Sequence, residues 1–92
     1  MEKPGVYILQ SLKNTRYYIG STDNISKRIE EHNQGKVKAT RYIMPLKLKA
    51  FLPCVTITKA RQAECRLKRY KRKDIIGHVI ESKVFLWEYT GV

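Results

Sequence analysis

Cysteine is scarce in this chain: Cys54 and Cys65 are its two thiols in 92 residues. Two cysteines make no disulfide framework, and no Cys/His pair stands at zinc-site spacing, so disulfide-stapled scaffolds and zinc modules are excluded. No apolar run approaches the ~20 residues of a membrane-spanning helix. The opening Met1-Glu2-Lys3-Pro4-Gly5 lacks the apolar core of a secretory signal. Internal repeats, low-complexity stretches and linkers are absent as well. These absences point to a reduced, soluble, cytoplasmic domain. Acidic residues are the last shortage, eight against nineteen lysines and arginines, for a net charge of +11. A small domain this basic attracts polyanions, of which nucleic acid is the commonest inside a cell.

What is present divides cleanly. Hydrophobic residues at 42% suffice for one core. Residues 5–10 are β-branched and aromatic and read as a strand, and 16–20 as a second, closed by Gly20. With Lys13-Asn14-Thr15 between them they predict an antiparallel hairpin. Ser21-Thr22-Asp23-Asn24 is rich in N-cap residues and Gly35 is a C-terminal stop, which predicts a helix over 24–34. Ile25 and Ile29 share its core stripe. Arg28 and His32, also four apart, share the next.

Residues 36–45 are basic and irregular. Leu46 to Phe51 alternates apolar and basic, predicting a third strand with one wet face. Thr58 is positioned to cap a longer helix reaching about Lys73, with Ala60, Ala63, Leu67 and Tyr70 as its buried stripe. Asp74–Val79 suggests a short helix broken near Gly77. Residues 84–89 are strand-like and unusually aromatic.

One constellation carries chemistry. Gly5-Val6-Tyr7 is followed after ten residues by Tyr18-Ile19-Gly20. Arg28 lies ten residues beyond Tyr18, His32 four further on and next to Asn33, and Glu64 lies early in the long basic helix. Taken singly, Tyr7 and Tyr18 read as ordinary strand aromatics, Arg28 and His32 as a solvated helix face, and Glu64 as the i,i+4 partner of Lys68. Taken together, their spacing resembles the GIY-YIG nuclease family over residues 4–75. The chain looks most like the small stand-alone branch of that family, akin to the catalytic N-terminal domain of the bacterial excinuclease.

That resemblance implies an α/β (α+β) fold, a three-stranded antiparallel sheet flanked by helices in the order β-β-α-β-α(-α), with an extra C-terminal strand as an option. Its domain would occupy residues 1–80, with an aromatic tail over 81–92. It implies a divalent metal, Mg²⁺ or Mn²⁺, and DNA phosphodiester hydrolysis to a 5′-phosphate and a 3′-hydroxyl, in repair or recombination. Tyr7 would activate water and Tyr18 position it. Arg28 would hold the scissile phosphate through its planar fork, and His32 would bond Tyr7 or help move its proton. Glu64 would be the metal ligand, with water and phosphate oxygens completing the shell.

Two positions depart from the family pattern. Ser21 follows the second motif where relatives carry a basic residue, and Ile76 stands where several carry asparagine. Arg28, Asn33, Lys36, Lys38, Arg41, Lys68 and Lys71 are the candidate nucleic-acid contacts, with Lys59, Arg61, Arg66, Arg69, Arg72 and Lys73 extending the basic track. Nothing in the chain reads base edges, so binding should be salt-steep and largely indifferent to sequence. Structured or single-stranded DNA is the expected partner. No residue discriminates a ribose 2′-hydroxyl. Specificity would come from a protein partner. A non-catalytic nucleic-acid-binding module on the same fold is the alternative, and Phe85, Trp87 and Tyr89 offer an assembly surface as a third reading.

Overall fold

The computed structural model describes residues 3–70 and 73–82. Three strands and three helices follow in the order β1 (Gly5–Ser11), β2 (Tyr17–Thr22), α1 (Ile25–Asn33), β3 (Leu46–Pro53), α2 (Ile57–Lys68) and α3 (Lys73–Ser82), with a 3-10 turn at Arg41–Ile43 before β3. The sheet is antiparallel with β1 central, in the order β2-β1-β3. The expected α+β architecture and element order are therefore present.

Alternation along β1 divides the core in two. Val6 and Ile8 join Ile19, Ala50 and Leu52 on the face covered by Ala60, Ala63 and Leu67 of α2 and Ile76 and Val79 of α3. Tyr7 and Leu9 point to the opposite face, where Ile25 and Ile29 of α1 close over them with Ile43, Met44 and Leu48. Asn33, ending α1, clamps the start of β3: its side-chain amide donates to the Leu46 carbonyl at 3.2 Å and its Oδ1 accepts from the Leu46 N–H at 2.9 Å.

Five local expectations are corrected. Strand β2 does not stop at Gly20 but runs to Thr22, because Ser21 and Thr22 still pair with Val6 and Gly5. Strand β3 does not keep one wet face along its length: Lys47 and Pro53 are its exposed residues, and both of its faces pack on a core. Its register shifts between Ile8 and Leu9, leaving Lys49 as an extra residue between Leu48 and Ala50. That bulge sends Leu46 and Leu48 to the Tyr7 face and Ala50 and Leu52 to the other, so one alternating run feeds both cores.

The cap of α2 is Thr56 rather than Thr58, its side chain accepting the Lys59 N–H. The helix ends at Lys68 rather than near Lys73, since twelve residues already span ~18 Å, about the length of the strands beneath it. The remaining core falls to α3, which passes through Gly77 unbroken. Burial of Ile76 and Val79 on either side outweighs the ~1 kcal/mol that a mid-helix glycine costs. The expected tail strand over 84–89 lies outside the described residues.

Candidate active site

Tyr7 is the centre of the site. It lies on the middle strand, 1% exposed, with its ring above Gly20 of the neighbouring strand. A Cβ at residue 20 would stand 2.3 Å from the Tyr7 hydroxyl and 2.4 Å from its ring. Glycine is thus required there by the tyrosine, and not by a turn. Tyr18 pairs with Leu9 and so shares the Tyr7 face, the two ring centroids 6.4 Å apart.

Helix α1 brings the next two groups from one stripe. The Arg28 Nε–H donates to Tyr7 Oη at 3.2 Å, and Arg28 Nη1 reaches Glu31 at 3.4 Å. His32 Nε2 lies 2.9 Å from the same Tyr7 oxygen. The imidazole is fully buried, edge-on to both tyrosine rings, with its Nδ1 2.7 Å from Thr40 Oγ1. One phenol oxygen is therefore held between a guanidinium and an imidazole, and the i,i+4 spacing of Arg28 and His32 is what allows both to reach it.

Electrostatics follow from burial. Desolvation pushes the Tyr7 phenol up from its ordinary value, against the lowering hydrogen bond from Arg28, so Tyr7 carries its proton at neutral pH. His32 is lowered to about 4, by burial first and by the Arg28 charge second, and is neutral. Arg28 is held charged by its bond to Tyr7.

Glu64 reaches the group around the edge of β2. Its helix packs on the other sheet face, where Ser21 also points, and the Ser21 hydroxyl donates to Glu64 Oε1 at 2.5 Å. Lys68, one turn on, donates to Oε2 at 2.5 Å and sits 5.9 Å from the Tyr18 ring centroid. That bond raises the Lys68 ammonium above its ordinary range. The negative charge of Glu64 is felt at Tyr7, where it adds to the upward shift.

A divalent ion fits this donor set. Among the described residues no three acidic, His or Cys side chains gather. A hard oxygen donor with water and phosphate oxygens is nevertheless a common Mg²⁺ arrangement. The Glu64 side chain is 19% exposed, and the Lys68 side chain paired with it is 49% exposed.

The structure thus brings Tyr7, Tyr18, Arg28 and His32 into one group, ties Glu64 to strand β2 through Ser21, and sets Lys68 between Glu64 and the Tyr18 ring. Of the other candidates, Asn33 has its amide engaged with Leu46. Lys36, Lys38 and Arg41 are exposed in the loop after α1, with Arg41 Nε donating to the Gly35 carbonyl. Lys71 lies outside the described residues. Beside Arg28 opens a polar hollow of about 280 Å³, lined among others by Ser21, Lys27 and Arg61.

Two site residues escape sequence reasoning. Ser21 is visible only as a departure from a basic position, and its partner lies 43 residues away. Thr40 sits in a loop with no periodic signal.

The family model of the GIY-YIG catalytic domain matches residues 3–81. A UPF0213 protein of Bacillus licheniformis is 37% identical over 78 residues, covering 84% of this chain and 79% of that protein. A UPF0213 protein of Syntrophus aciditrophicus is 36% identical over 76 residues, covering 80% and 86%. One from Streptococcus pneumoniae is 38% identical over 71 residues, covering 76% and 71%. No solved structure matches the chain.

Proposed function

The chain belongs to the GIY-YIG family, and from that membership we propose that it is a divalent-metal-dependent endonuclease. It would hydrolyse DNA phosphodiester bonds to 5′-phosphate and 3′-hydroxyl ends, in repair or recombination in the cytoplasm. The observation that carries this reading is the Tyr7 hydroxyl held between Arg28 Nε and His32 Nε2 at 3.2 and 2.9 Å.

Hydrolysis needs a water stripped of a proton and positive charge where the phosphorane becomes negative. Tyr7 keeps its own proton at rest, so it acts as a base by accepting the water's proton as it passes its own to His32 Nε2. His32, neutral at rest, can receive that proton and hand it back to Tyr7 after cleavage, while the leaving oxygen takes its proton from solvent. Arg28 stabilises negative charge on the phenol oxygen, and its guanidinium also borders the polar hollow where a phosphate can lie. Tyr18, beside Tyr7 on the same face, orients the water or phosphate. Glu64, fixed by Ser21, would hold the divalent ion once Lys68 moves off Oε2, and that ion supplies Lewis-acid charge to the phosphate oxygens.

Nicking of supercoiled plasmid with Mg²⁺ or Mn²⁺ tests the assignment beside Tyr7→Phe, Arg28→Ala and Glu64→Ala. Each variant should lose at least about a hundredfold in rate while still binding DNA, and chelation by EDTA should abolish nicking by the wild type. No cleavage by the wild type with either ion, together with salt-dependent binding, would reject the nuclease in favour of a binding module.

A further inference from the structure

Thr40 occupies a position whose local chemistry is diverted. It is the N-cap residue of the 3-10 turn Arg41–Ile43, where a threonine hydroxyl ordinarily accepts a backbone N–H, yet it makes no cap hydrogen bond. The side chain is instead fully buried against His32. Its backbone is fixed on both sides: the Thr40 N–H donates to the Val37 carbonyl at 3.1 Å, and the Thr40 carbonyl accepts from Ile43 N–H at 3.1 Å.

Counting donors and acceptors assigns the protons. Arg28 can only donate to Tyr7 Oη, so it cannot receive the Tyr7 hydrogen. A phenol that is 1% exposed needs an acceptor for that hydrogen, and His32 Nε2 is the acceptor within reach among the described residues. A neutral imidazole that accepts at Nε2 carries its proton on Nδ1. That proton points at Thr40 Oγ1 at 2.7 Å, and the Thr40 hydroxyl hydrogen turns to the Val37 carbonyl at 3.5 Å. The opposite tautomer would aim two N–H donors at Tyr7 and leave the phenol hydrogen with no partner.

We propose that Thr40 is a positioning residue that fixes His32 in its Nδ1–H tautomer, so that Nε2 faces Tyr7 as a lone-pair acceptor. Its catalytic consequence rests on the reading of Tyr7 as the base. Thr40 touches no substrate: it decides in which direction the Tyr7 proton can travel. Because His32 is neutral at working pH, the tautomer, and not the charge, is the variable to control.

The test is ring ¹H–¹⁵N correlation spectroscopy on the full ¹⁵N-labelled chain at pH 7, with His78→Gln to separate the two histidines. In the wild type His32 should be the Nδ1–H form. Thr40→Val, which keeps shape and removes the acceptor, should move the majority to Nε2–H, and Thr40→Ser should restore Nδ1–H. Plasmid nicking should follow, with kcat lowered roughly ten- to a hundredfold in Thr40→Val, KM within about twofold, and activity recovered in Thr40→Ser. A wild-type His32 protonated on Nε2 overturns the proposal. So does a Thr40→Val tautomer equal to wild type, or a flipped tautomer with unchanged kcat. If the wild type cuts nothing, the nuclease reading fails on its own, and the spectra still decide whether Thr40 sets the tautomer.

Discussion

A histidine buried to 0% exposure and bonded through both ring nitrogens cannot gain a proton without turning one acceptor into a donor against its partner. For His32 this becomes a stability statement. Its folded pKa of about 4 lies below the ordinary 6.5, so between those values the unfolded chain takes up a proton that the folded chain refuses. Stability from this residue is therefore full above pH 6.5 and is lost as pH falls toward 4, by of order 2 kcal/mol. Urea unfolding at pH 7.5 and pH 4.5 checks this against His32→Gln, which cannot titrate. The wild type should lose more stability on acidification than the variant, and equal losses would show that the buried imidazole is not what resists the proton. Repulsion among the chain's excess cations acts on both proteins and cancels in the difference.

At the scale of elements, the pairing of β1 with β2 places Gly20 beneath Tyr7, and the tyrosine's position depends on that absent side chain. In Gly20→Ala the new methyl would overlap a buried ring, so Tyr7 must rotate away from Arg28 and His32. We expect about 1–3 kcal/mol of destabilisation, typical of overpacking, and a nicking rate as low as that of Tyr7→Phe. A melting curve and a plasmid assay on the same preparation check both, and a folded Gly20→Ala with wild-type activity would show that the Tyr7 contacts are dispensable.

The same pairing explains what was legible in the sequence. Strands β1 and β2 and helix α1 followed from residue type, turn chemistry and N-cap residues, and the face shared by Arg28 and His32 followed from a spacing of four. The bulge at Lys49 was hidden because Leu46-Lys47-Leu48-Lys49-Ala50 keeps perfect alternation while the pairing does not. Thr56 and Thr58 are equally able to cap a helix, and only tertiary packing of Ile57 and Ala60 chooses between them. Ser21 meets Glu64 across the edge of β2, and Thr40 meets His32 across a loop, neither at a spacing that any local period encodes.

For the whole molecule the governing quantity is charge. A surplus of eleven cations on 92 residues makes counterion release the main drive for binding nucleic acid. No described helix is long and apolar enough to cross a membrane. Exposed cations lie in the loop after α1, at Lys36, Lys38 and Arg41, and along α2 and its C-cap, at Arg61 and Arg69. A DNA backbone engaging about six of the chain's cations gives a log–log salt slope of about −4 to −5, at ~0.7–0.9 per phosphate. Fluorescence anisotropy of a labelled oligonucleotide between low and moderate salt measures it. Replacing Lys36, Lys38 and Arg41 together by glutamine should flatten the slope by about 2–3, one neutralised phosphate per side chain. It should do so alike on unrelated sequences, because phosphate contacts carry no base information. A wild-type slope near zero would mean that charge does not drive binding. An unchanged slope in the triple variant would instead place the DNA path over α2, leaving Arg28 approached from the side of Arg61 and the polar hollow between them.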